Sequence, residues 1–144
     1  MLCFKQSNDT LSSLNIGIEQ SINKWLTDFG IADCFINKDH TINVYGTVYL
    51  QDNNLVELPP YIKFNIVTGS FLIGNNKLIS LIGCPNIVLE MYGCSNNMLS
   101  NLEHCPKIIG KRIFCYSNLI EFSSEYVKSV CDITEDSCII NKTA

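Results

Sequence analysis

The chain has 144 residues, 47% apolar and 17% charged, which is enough apolar material for one packed domain and too hydrophobic a balance for a disordered one. Ten Lys and Arg against fourteen Asp and Glu give a net charge of −4, which lacks the basic footprint of a nucleic-acid binder. No apolar run approaches the roughly 20 residues that cross a bilayer, so no membrane association is expected.

Residues 1–10 (MLCFKQSNDT) carry one Lys and no sustained apolar stretch, so they read as a loose start and not as a secretory signal. On that reading the chain is cytoplasmic, a host-cell cytoplasm included. Its eight cysteines (Cys3, Cys34, Cys84, Cys94, Cys105, Cys115, Cys131 and Cys138) are then expected as free thiols. Residues 17–30 carry Ile18, Ile22, Trp25, Leu26 and Phe29, the stripe of an amphipathic helix, and Gly30 is a natural stop. Phe35 to Asn37 and Thr41 to Val44 flank the polar turn Lys38-Asp39-His40 and read as a hairpin.

Four similar segments follow: 48–62, 71–87, 92–108 and 113–124. One Asn recurs as Asn53, Asn76, Asn97 and Asn118, and an aliphatic anchor two residues later as Leu55, Leu78, Leu99 and Ile120. Leu58, Leu81 and Leu102 follow three residues on, and the fourth copy breaks there with Ser123. Cys84-Pro85 recurs as Cys105-Pro106, with Ile87 and Ile108 behind. Each unit starts with a short alternating strand whose inward residues are Val48/Leu50, Phe71/Ile73, Tyr92/Cys94 and Ile113/Cys115. The chain turns at the Asn, and the Pro stiffens the back of the unit. One such unit cannot bury its apolar face alone, so the units must stack, with the four Asn side chains as a ladder. Stacking also makes Cys94 a buried neighbour of Cys115, and Cys84 of Cys105. Ser123 or Ser124 with Glu125 starts a short helix through about Cys131, and the last four residues are expected to fray.

The columns φ-x-φ-x-x-N-x-L-x-x-L resemble leucine-rich repeats over about residues 44–124, in a short subtype with N-N-x-L and G-C-P or H-C-P found in bacteriophages and bacteria. The resemblance implies an α/β or mainly β fold. It would be a short right-handed solenoid of about four units with a parallel strand face, an N-terminal helix-hairpin cap (about 11–46) and a short C-terminal helical cap (about 125–144), all in one domain. It also implies a protein-binding module with no catalytic residues. The form the resemblance implies is a phage- or pathogen-type inhibitor that binds and occludes a host or defence protein.

Residues alternating with the inward columns face out. They are Thr47, Ser70, Met91 and Arg112, then Tyr49, Leu72, Gly93 and Phe114, then Gln51, Gly74, Ser95 and Tyr116. Tyr49, Leu72, Met91, Arg112, Phe114 and Tyr116 are the types enriched at interface centres, so they are the expected partner-binding residues. Self-association through this face as a homodimer, or the N-terminal segment folding over it, are the competing readings.

Candidate chemistry is thin. The Cys/His pairs are Cys34 with His40 and Cys105 with His104, and neither has a visible orienting group. A zinc set would draw on Cys84, Cys105, His104 and Cys131 or Cys138, but no C-x-x-C pair is present. No metal, no cofactor and no enzymatic activity are expected. The alternatives are a self-assembling structural protein and a thiol- or zinc-dependent enzyme.

Overall fold

A computed structural model describes residues 2–133 and 135–143, with side-chain environments from residue 11 onward, Ser137 excepted. Met1, Thr134 and Ala144 belong to the expected terminal segments and lie outside the described residues.

Helix α1 spans Leu2–Asp28. Ile22, Trp25 and Leu26 are buried and Ile18 and Phe29 pack beside them, as the stripe requires. The loose start expected over the first ten residues is corrected, and the helix expected from residue 17 begins earlier. No Pro, and no Gly before Gly17, breaks the helix, so its backbone runs on beyond the apolar stripe that announced it. The C-terminus closes at Gly30, whose φ is 67°. Its N–H donates to Thr27 O at 3.0 Å, and the Ile31 N–H to Leu26 O at 2.8 Å.

Strand β1 (Cys34–Ile36) pairs antiparallel with β2 (Ile42–Val44), so the hairpin is present. The Asp39 carboxylate fixes its turn by accepting from the Thr41 N–H and hydroxyl at 3.0 and 2.6 Å. Those two bonds, the hydroxyl one first, hold its carboxyl below the ordinary range.

From β2 onward the chain winds as a β-solenoid of about three turns, built on two sheets of parallel strands. The first sheet has the order β1-β2-β4-β6-β8, with β4 at Phe64–Val67, β6 at Ile87–Val88 and β8 at Ile108–Ile109. The second has the order β10-β9-β7-β5-β3, with β3 at Val48–Tyr49, β5 at Phe71–Leu72, β7 at Met91–Gly93, β9 at Arg112–Phe114 and β10 at Ile139–Ile140. Each coil therefore carries two strands where one was expected. The stretches at Ile87 and Ile108 pair Val67 with Val88 and Val88 with Ile109. The corner between the sheets is tight: a Cβ on Gly110 would sit 2.0 Å from Leu89 O.

The inward columns fall as the alternation requires. Val48, Leu50, Phe71, Ile73, Tyr92, Cys94, Ile113 and Cys115 are all fully buried. One apolar cluster runs from Ile22 to Ile139. An aromatic line ties α1 into it: Trp25 lies 6.3 Å from Phe64, Phe64 5.1 Å from Phe71, and Phe71 stacks on Tyr92 at 6.0 Å.

The Asn ladder staples each coil to the one before. Asn76 Oδ1 accepts from the Asn53 and Leu55 N–H groups at 2.9 and 3.1 Å, and its Nδ2 donates to Leu50 O and Ile73 O. Asn97 accepts from Leu78 N–H at 3.0 Å, and Asn118 from Leu99 N–H at 3.1 Å. Asn53 has no preceding coil to serve. It is exposed, and its side-chain Nδ2 donates to Gln51 O at 2.8 Å. The residue before each ladder Asn takes the left-handed conformation: Asp52, Asn75, Asn96 and Ser117 have φ of 60°, 54°, 56° and 54°. That explains Asn75 and Asn96, the first Asn of the second and third N-N pairs, and Asp52 in the first unit, because Asn and Asp tolerate this region better than most residues.

Two expectations fail at the C-terminal end. Ile120 is 51% exposed and does not return to the core; Phe122 fills that space because the chain leaves the last coil for α2 (Ser124–Val130). Ser123 caps α2, its Oγ accepting the Tyr126 N–H at 3.1 Å. The tail is not loose at its start either. β10 adds a parallel strand to β9, and Asn141 Nδ2 donates to Phe122 O at 2.6 Å. No described helix is long and apolar enough to cross a membrane.

Candidate interaction surface

Parallel pairing puts the outward residues of β3, β5, β7 and β9 side by side. Tyr49, Leu72, Gly93 and Phe114 form one column, and Met91 stands next to Arg112. This is the register that the alternation predicts. The face is not flat. Gly74, Gly93 and Ser95 floor a trough of about 270 Å³, walled by Leu72, Met91, Phe114 and Tyr116. The floor is low because two of its three positions have no side chain and the third has a small one. A Cβ on Gly93 would come within 3.2 Å of Leu72 Cδ2, and one on Gly74 within 3.0 Å of Ser95 O.

Four of the six expected partner-binding residues therefore line the trough. The other two flank it: Tyr49 is 65% exposed at the end of its column, and Arg112 is exposed beside Met91. Leu72, Met91, Phe114 and Tyr116 are half-buried. Three outward positions are corrected, since Ser70, Gly93 and Ser95 are buried. The two serines do a backbone task instead. Ser70 Oγ accepts the Met91 N–H and Ser95 Oγ the Tyr116 N–H, each at 3.1 Å from the next coil. Thr47 Oγ1 accepts the Ser70 N–H at 3.2 Å in the same way.

Sequence reasoning missed a second apolar feature. On the return side, Val56, Ile79, Met98, Leu119 and Ile120 are all exposed. Backbone bonds between coils, such as Ile79 N–H to Val56 O at 3.0 Å, hold them in a ridge. The signal was present three residues after Asn53 and Asn76 and one residue after Asn97 and Asn118, but a run that also contains the buried anchors reads as core.

The thiols lie inside. Cys84, Cys94, Cys105, Cys115 and Cys131 are buried and unbridged, and Cys34 and Cys138 are half-buried and free. Burial pushes Cys84 and Cys115 up to about 12, and holds Cys94 and the Tyr92 phenol well above their ordinary values. A hydrogen bond with Cys105, then burial, raises Cys131. Burial also raises Cys34. Tyr92 Oη donates to Cys84 Sγ at 3.4 Å. Cys84, Cys94 and Cys115 stay protonated and pack as small hydrophobes.

The candidate Cys/His pairs are not assembled. His40 sits at the hairpin tip with φ of 67°, while Cys34 pairs with Val44 at the far end of the hairpin. His104 is exposed with φ of 68°, while Cys105 turns inward. Among the described residues, no group of three His, Cys, Asp or Glu is placed to hold a metal ion. Comparison with family models, curated proteins and solved structures returned no match.

Proposed function

We propose that this chain is a non-enzymatic binding module of leucine-rich-repeat-like build, which occludes a protein partner through the outer face of the β3/β5/β7/β9 sheet. The trough carries this reading. A concavity with a small-residue floor and Leu, Met, Phe and Tyr walls fits an apolar anchor side chain of a partner. Arg112 and Tyr49 at its margins supply a charged donor and an amphipathic ring, types enriched in protein interfaces. In this reading α1 with the β1/β2 hairpin caps one end of the solenoid and α2 the other. The protein acts in a cytoplasm, with the host-directed inhibitor of a phage or pathogen as its form.

The test fills the trough and charges its walls separately. Gly93→Leu and the double variant Phe114→Asp/Tyr116→Asp should each weaken partner binding at least about 30-fold, corresponding to about 2 kcal/mol at an anchor site. Circular dichroism should show the fold retained. Unchanged binding in both would remove this face from the mechanism.

A second reading, self-assembly, draws on the exposed ridge of Val56, Ile79, Met98 and Leu119. It predicts a concentration-dependent mass in sedimentation that Ile79→Asp/Leu119→Asp abolishes.

A further inference from the structure

A larger groove, about 580 Å³, opens on the return side of the solenoid where each coil approaches the first sheet. Its floor is buried and apolar: Phe64, Cys84, Leu102 and Cys105. Its rim is exposed and polar: Lys63, Asn86, Glu103, His104 and Lys107. Val130 of α2 lines it on the C-terminal side.

The groove runs along the solenoid axis, across coils. Lys63 stands just before β4, Asn86 just before β6 and Lys107 just before β8, so successive rim residues come from successive coils. Two coil spacings of about 4.8 Å put Lys63 and Lys107 roughly 10 Å apart along the axis. A segment in the extended polyproline-II conformation advances about 3.1 Å per residue and returns to the same face every third residue, so side chains three residues apart share a face and cover about that distance.

The charge of the rim departs from that of the chain. The protein carries −4 overall, yet two lysines face this groove against one carboxylate, Glu103. Lys24, Lys111, Lys128 and Lys142 are each paired with a carboxylate. Lys63 and Lys107 have no such partner among the described residues. The Cys84 thiol on the floor is held neutral by burial, so it adds no charge to repel an anion.

We propose that this groove docks an extended acidic segment of a protein, with carboxylates about three residues apart on Lys63 and Lys107 and the residues between them lying over Cys84 and Cys105. The site is independent of the sheet-face trough and stands or falls separately.

The probe is a short fluorescent peptide with Glu at every third position and Ser or Ala between, set against the same peptide with Gln. Polarisation should show saturable binding of the Glu peptide that weakens as salt rises. The Gln peptide should bind at least about tenfold more weakly. Lys63→Glu/Lys107→Glu should cost at least the same factor, and Glu103→Gln should tighten binding. Arg112→Glu and Phe114→Asp, on the other face, should leave it unchanged. Absence of saturable binding, equal affinity for the Gln peptide, or an equal loss in Arg112→Glu would each overturn the proposal.

Discussion

Replacing Asn97 by Ala removes one rung of the ladder, and its cost can be worked out bond by bond. Asn97 Oδ1 accepts the Leu78 N–H at 3.0 Å, and Nδ2 donates to Ile73 O and Cys94 O, both at 3.1 Å. After truncation, Ile73 O keeps Asn76 Nδ2 at 3.0 Å and Cys94 O keeps Asn118 Nδ2 at 3.3 Å. The Leu78 N–H keeps nothing, and Leu78 is fully buried. An orphaned buried donor costs about 1–3 kcal/mol, and the two weakened acceptors add a fraction of a bond each. The expected loss is about 2–4 kcal/mol. Asn53→Ala removes a single exposed bond to Gln51 O and should cost less than about 1 kcal/mol. Asn97→Asp is the sharper variant. It keeps an acceptor for Leu78 but turns lone pairs toward two carbonyl oxygens, so it should be at least as damaging as Ala. Urea unfolding at constant m gives each value from the midpoint shift. Equal costs at positions 53 and 97, or an Asp variant as stable as the wild type, would refute the ladder.

Other consequences follow from the same core. Cys84 and Cys115 keep their protons up to about pH 12, whereas an unfolded chain gives up thiol protons near the ordinary value of 9.0. Stability should therefore be intact below about pH 9 and fall above it, by about 1.4 kcal/mol per pH unit for each such thiol. Urea midpoints taken between these pH values should slope less steeply in Cys84→Ala/Cys115→Ala, and an unchanged slope would contradict the assignment. Asn96 has φ of 56°, so Asn96→Val should cost about 1–3 kcal/mol in thermal or urea unfolding while Asn96→Gly is close to neutral. Trp25→Ala opens the contact with Phe29 at 4.5 Å and with Phe64, and should lower stability by about 3–5 kcal/mol. A smaller loss would mean that α1 is not held by this ring.

The repeat was legible because stacking forces a periodic column wherever a side chain is buried. Val48, Phe71, Tyr92 and Ile113 therefore declared both their spacing and their face. The outward column Tyr49, Leu72, Gly93 and Phe114 followed from the same register. What escaped was whatever depends on more than one-residue alternation. The second strand of each coil is as short as two residues at Ile87–Val88 and Ile108–Ile109, too short for a period to show. The trough is made by absence, at Gly74 and Gly93, and a pattern of apolar residues does not register it. Ser70 and Ser95 were misplaced because their hydroxyls serve backbone groups of a neighbouring coil, which is visible only in three dimensions. Ile120 matched its column by type but lost its place when Phe122 took the interior. Helix α1 was read too short because, from residue 11 onward, where its side chains are described, only its last turns carry buried residues.

The sheet face itself is tested most directly by affinity capture from a lysate of the cells in which the protein is made, with mass spectrometry. Wild-type protein is set beside folded Phe114→Asp/Tyr116→Asp. One stoichiometric protein retained by the wild type and lost from the double variant is the predicted result. The same protein retained equally by both, or none retained by the wild type, would contradict it.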